Sequence, residues 1–141
     1  MTQAAIFQPM MTLVAWTFVV LLLIPVYVFR AARQKKIALD DLKLGVLSNA
    51  LPSASIANRN YMNLLELPIL FYVACLTLHA TNHVDSAALH LAWTYVALRV
   101  VHSAVHLSYN KVLHRGILFG ASNFVLAFIW IRLFLALSPA A

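Results

Sequence analysis

Hydrophobic residues in this chain fall in long, nearly unbroken runs separated by short polar breaks. Phe7 to Phe29 carries no charged side chain, and Ile56 to His79 carries only Arg59 and Glu66. Ser86 to Tyr109 is interrupted by Arg99, His102 and His106, and Ile117 to Leu137 has Arg132 as its one charge. A bilayer core about 30 Å thick is crossed by roughly 20 apolar residues in a helix. The pattern therefore predicts spans over 7–29, 56–79, 86–109 and 117–137, with a connection over 30–55. This is an all-α integral membrane four-helix bundle forming a single domain, 1–141. The first run lacks preceding basic residues and is too long for a secretory signal, so it reads as a retained helix. Pro25 predicts a kink or thinning near its end, which membrane helices tolerate.

Composition agrees. Of 141 residues, 63% are hydrophobic and 10% charged, against about 45–50% and about 25% in soluble domains. One cysteine, 3 glycines and 5 prolines exclude a disulfide-stapled module, a collagen-like fibre and a disordered chain. The net charge of +6 would suggest nucleic acid in a soluble protein. Here Arg30, Arg33, Lys35, Lys36 and Lys43 supply five of the ten basic residues, which marks membrane topology and no nucleic-acid partner. The break over 80–85 has no Lys or Arg, whereas Lys111 and Arg115 lie around the next one. The positive-inside rule then places the first and third connections in the cytoplasm and both termini outside. Ile37, Leu39, Leu42, Leu44 and Leu47, interspersed with Lys and Asp, suit either a short interfacial helix or a solvated basic loop.

Ionisable residues within spans are costly and mark interiors, partners or cavities. Arg59, Asn63 and Glu66 follow i, i+4, i+7, and Tyr95, Arg99, His102 and His106 follow i, i+4, i+7, i+11. Each set lies on one helical face, and the two stripes are expected to face each other or a shared interface. At about 1.5 Å of rise per residue, Glu66 lies roughly 12 Å and Arg99 about 15 Å from the cytoplasmic end, which predicts a Glu66–Arg99 ion pair. Arg59 and Arg115, near His102 and His106, then have no acid left within the spans. Surplus positive charge in a cytoplasm-facing, apolar-walled cavity expects an anionic ligand beside a hydrophobic one. The plainer reading has both arginines reaching lipid phosphates, with the remaining polar residues locking helices together.

At these residues the sequence resembles the membrane-associated proteins in eicosanoid and glutathione metabolism, the MAPEG family. Arg59-Asn60-Tyr61-Met62-Asn63-Leu64-Leu65-Glu66-Leu67-Pro68 looks like the helix 2 signature, and Arg99-Val100-Val101-His102 like the helix 3 motif. Arg115 falls where that family places a helix 4 arginine. The resemblance spans essentially the whole chain. It implies a homotrimer in a bacterial-type inner membrane, with glutathione as co-substrate between subunits near the cytoplasmic face. The activity implied is that of a transferase or peroxidase attacking a hydrophobic electrophile; the alternative is a non-catalytic member that binds a lipid or partner. Arg59, Asn63, Glu66, Arg99 and His102 would bind glutathione, Arg115 would stabilise the thiolate, and His106 would be a further donor. A guanidinium lowers the pKa of a thiol, normally about 8.5, towards the reactive thiolate. Two positions depart from the pattern: enzymatic members commonly have Tyr where His106 stands, and several have a basic residue where Met62 stands. Arg30 and Arg33 are both candidates for the first-connection arginine, and Tyr109 and Asn110 are candidates for the mouth of the site.

Other signals are weaker. The pairs His102/His106 and His79/His83 lack further ligands at a fitting spacing, so no metal is expected, and His102 lacks a histidine at matched depth for haem. Gly116-x-x-x-Gly120 suits close helix packing, Asn123 suits a bond across helices, Arg132 suits snorkelling, and Cys75 reads as a small core residue.

Overall fold

The computed structural model describes residues 2–34 and 52–138, whose regular structure is entirely helical. A 3-10 turn over Gln3–Ile6 leads into α1 (Phe7–Arg33), followed by α2 (Pro52–Leu65), α3 (Pro68–Ala80), α4 (Ser86–Leu107) and α5 (Val112–Leu137). The candidate interfacial helix or loop over 35–51 lies outside the described residues.

α2 and α3 are two halves of one rod, interrupted at Glu66 and Leu67. Pro68 has no N–H to give Leu64, and its ring crowds that carbonyl. The chain restarts with three-residue bonds instead, Ile69 N–H to Glu66 O at 3.4 Å and Leu70 N–H to Leu67 O at 3.0 Å. Pro25, by contrast, lies inside α1 without ending it. α5 begins five residues before the apolar run because a helix boundary and a hydrocarbon boundary are different things. Arg115 and Gly116 are helical although they are not part of that run.

Contacts between ends fix the up-and-down topology. Phe7 packs on His79 with ring centroids 4.6 Å apart, the Gln3 side chain brackets the Val84 backbone, and Arg132 pairs with Asp85 at 2.7 Å. The start of α1, the turn over 81–85 and the end of α5 therefore share one end. At the other end Ala31 packs with Ala54, and Arg115 meets His106. α4 packs against α5, α1 and α2, and α3 packs against α5.

The core is apolar, with Leu13, Val20, Leu64, Phe71, Ala92, Tyr95, Leu126 and Ile129 buried. So is the outside: Phe18, Leu22, Phe29, Phe124, Phe128 and Phe134 are all exposed. An apolar exterior on a helical bundle is what lipid requires, since helices satisfy their own backbone. The rods Gln3–Arg33, Pro52–Ala80 and Val112–Leu137 are long and apolar enough to cross a membrane. α4 does not reach that hydropathy although its 22 residues span about 33 Å. Five of its polar side chains turn inward instead: Tyr95, Arg99, His102, Ser103 and His106 are all buried.

Candidate functional site

The expected polar residues separate into three groups. The first lies where the Ala31, Pro52 and Lys111 ends meet. α4 closes there with Asn110 in the left-handed region, φ 49°, its N–H bonded to Val105 O at 2.9 Å. α5 then starts at Val112, and one turn later Arg115 points back at α4. Its Nη1 donates to Asn110 Oδ1 at 2.8 Å and meets His106 Nε2 at 3.0 Å. A guanidinium only donates, so His106 accepts at Nε2 and its ring hydrogen sits on Nδ1. His106 is therefore an acceptor towards Arg115 at this nitrogen, whereas the sequence reading has it as a donor. His102 lies one turn deeper, its Nδ1 donating to the Arg115 carbonyl at 3.0 Å, with its ring edge-on to His106 at 5.9 Å.

Arg59, His106, Asn110 and Arg115 line one cleft of about 330 Å³ with Pro52, Ser55 and Ile56. Among the described residues its charged side chains, Arg59 and Arg115, are both cationic. Such a lining suits a carboxylate or thiolate, with the apolar helix surface beside it.

The second group surrounds Arg99, which is fully buried. Its Nε donates to Tyr95 Oη at 3.1 Å and its Nη2 to Asn123 Oδ1 at 2.8 Å. The guanidinium carbon lies 5.2 Å from the Tyr95 ring centroid and 5.0 Å from that of Phe119. The expected Glu66–Arg99 ion pair does not form. Two aromatic faces, a phenol and an amide stabilise this cation in place of a carboxylate. Asn123 does bond across helices.

The third group is the α2 stripe, which meets the α4 stripe only at the cleft, where Arg59 and His106 line the same space; Asn63 and Glu66 do not face it. Arg59 and Glu66 are exposed and Asn63 is half-buried. The inward face is Ala54, Ala57, Asn60 and Leu64, and its two alanines let α1 and α4 approach. Arg59 is about 100° around the helix from Asn60. Asn60, absent from the sequence-based candidates, is fully buried and donates from Nδ2 to Ser103 Oγ on α4. Its place in the Ala54-Ala57-Asn60-Leu64 series was the signal available for it.

Among the described residues no group of three or more His, Cys, Asp or Glu is arranged to hold a metal ion. Arg132, expected to snorkel, pairs with Asp85. Gly116 and Gly120 have nothing within 4 Å of where a Cβ would stand, so their face is not a packing contact within the protomer.

A helical bundle with an apolar exterior and a basic cleft at one end is a small membrane protein. The model of the MAPEG family matches residues 10–135, nearly the whole chain, and the protein belongs to that family. No curated protein matches the chain, and neither does any solved structure.

Proposed function

We propose that the protein is a glutathione-dependent membrane transferase or peroxidase whose site is the Arg59–His106–Asn110–Arg115 cleft. The observation that carries this reading is the convergence of two guanidinium groups from α2 and α5 on one cleft, beside a bilayer that supplies apolar acceptors. Arg115 holds the sulfur as thiolate, because a cation stabilises the charged form of a thiol. The thiolate then attacks an electrophilic carbon of a hydrophobic molecule, forming a thioether as the leaving group departs. With a hydroperoxide it attacks an oxygen instead, forming a sulfenic acid as the O–O bond breaks and an alcohol leaves. A second glutathione then reduces the sulfenic acid, giving a disulfide and water. Arg59 pairs with a glutathione carboxylate. His102 and Arg99 act from within the protomer, His102 by holding the Arg115 backbone and Arg99 by bracing α4 against α5 through Asn123.

Asn63 and Glu66 enter the site from the outward face of α2. A carboxylate at that depth facing hydrocarbon is costly, and Met62, Leu65 and Ile69 beside it are exposed as well. We therefore take this face as the contact between copies in a homotrimer, with glutathione bridging Glu66 and Asn63 to the cleft. Arg30, Arg33, Lys111 and Arg115 share the cleft end, and on the positive-inside rule we take that end to face the cytoplasm of a bacterial inner membrane, with both termini outside.

The test is the difference absorbance of glutathione thiolate on detergent-purified protein at neutral pH. A thiolate band is expected for the wild type and its loss for Arg115→Ala, with the oligomer unchanged. Glutathione bound by calorimetry without a band would show a binding protein and not an enzyme.

A further inference from the structure

Asn110 meets two constraints that few residues meet together. Its backbone is left-handed at φ 49°, a conformation that Gly, Asn and Asp adopt most readily. Its side chain accepts from Arg115 Nη1 at 2.8 Å, which Gly cannot do. The same Nη1 meets His106 Nε2 at 3.0 Å, so both hydrogens of that nitrogen are taken, one by the last turn of α4 and one by the α4–α5 turn. The guanidinium plane is thereby held. Among the described residues the edge left for an anion is the Nε–Nη2 side, which forms a bidentate fork.

We propose that Asn110 is a positioning residue: with His106, it turns the Nε–Nη2 edge of Arg115 towards the sulfur of the thiol co-substrate. This rests on the reading of the cleft given above. Asn110 itself exchanges no proton and touches no reacting atom. Its effect passes through Arg115.

Asn110→Gly keeps the left-handed turn and removes the acceptor, whereas Asn110→Asp keeps both. In the glycine variant the thiolate band at neutral pH is expected to fall about 10-fold, the size of one lost bond to a charged group, with kcat falling more than KM rises. Asn110→Asp adds a negative charge that opposes a neighbouring thiolate, so its band is expected to stay below that of the wild type. In an Arg115→Ala background Asn110→Gly is expected to change nothing further, since both changes remove one interaction. A wild-type band in Asn110→Gly would overturn the proposal. So would an equal fractional loss of glutathione affinity, read by calorimetry, with and without Arg115, which would mean that Asn110 contacts the ligand directly. An intact band in Arg115→Ala alone would instead overturn the reading of the whole cleft. Nitrogen-15 spectra of the ligand-free protein add a separate check. His106 is expected to carry its hydrogen on Nδ1, with its Nε2 signal moving on Arg115→Ala; a hydrogen on Nε2 would exclude the shared-acceptor geometry.

Discussion

Among the described residues the buried Arg99 has no carboxylate partner, which has consequences for mutation. Arg99 has its charge spread between Tyr95, Phe119 and Asn123. Arg99→Ala leaves a cavity and strips Asn123 and Tyr95 of their donor. The expected loss is about 3 kcal/mol, from cavity formation and unpaired polar groups together. Arg99→Met fills most of the volume and buries no charge, so at least half of that loss should be recovered. Thermal denaturation in detergent of the three proteins measures both. Equal losses for Ala and Met would show that the guanidinium, and not its volume, holds α4 to α5. At this scale the sequence revealed which residue types were present but not their partners. Glu66 was the nearest acid to Arg99 by depth, yet helical rotation turns it outward, and the tertiary fold supplied an amide instead.

At the scale of the element, the turn over 81–85 and the start of α4 form a clasp. Asp85 caps α4, accepting from Ala88 N–H at 2.6 Å through Oδ1, and pairs through Oδ2 with Arg132 of α5. The ion pair is open to solvent, with relative side-chain exposures of 38% for Arg132 and 57% for Asp85, and such pairs contribute at most about 1 kcal/mol. A helix cap contributes about 1 kcal/mol whether or not it is charged. Asp85→Asn, which can still cap, should therefore cost less than Asp85→Ala, and Arg132→Ala should be nearly neutral. Chemical denaturation midpoints give the order directly; Arg132→Ala as damaging as Asp85→Ala would reverse the assignment. The same scale explains why the predicted helix boundaries shifted. Hydropathy marks where lipid begins, whereas capping and proline mark where helices begin and end, so α5 starts at Val112 and the second rod breaks before Pro68.

For the whole molecule, the outward face of α2 carries the prediction. If Glu66 and Asn63 meet a neighbouring copy, light scattering in detergent should count three chains. Glu66→Leu, which suits lipid better than carboxylate, should weaken that assembly and glutathione affinity together while leaving helix content unchanged. Three chains with unaltered glutathione affinity in Glu66→Leu would separate oligomer from site. A monomer in the wild type would remove the need for the contact.

The chain's hydropathy alone determined the all-helical membrane bundle, because a bilayer demands long apolar helices and the runs are visible without any partner. Spacing alone gathered Tyr95, Arg99, His102 and His106 on one face, since that depends only on the period of a helix. The tertiary structure decided which faces meet. Rotation about each helix axis is set by packing, and the small residues Ala54 and Ala57 bring Asn60, not Glu66, against α4. It also decided that Arg115 reaches back across a left-handed turn to His106 and Asn110. That contact depends on the turn's backbone and on how α4 and α5 pack, and helical periodicity ends where the helix does.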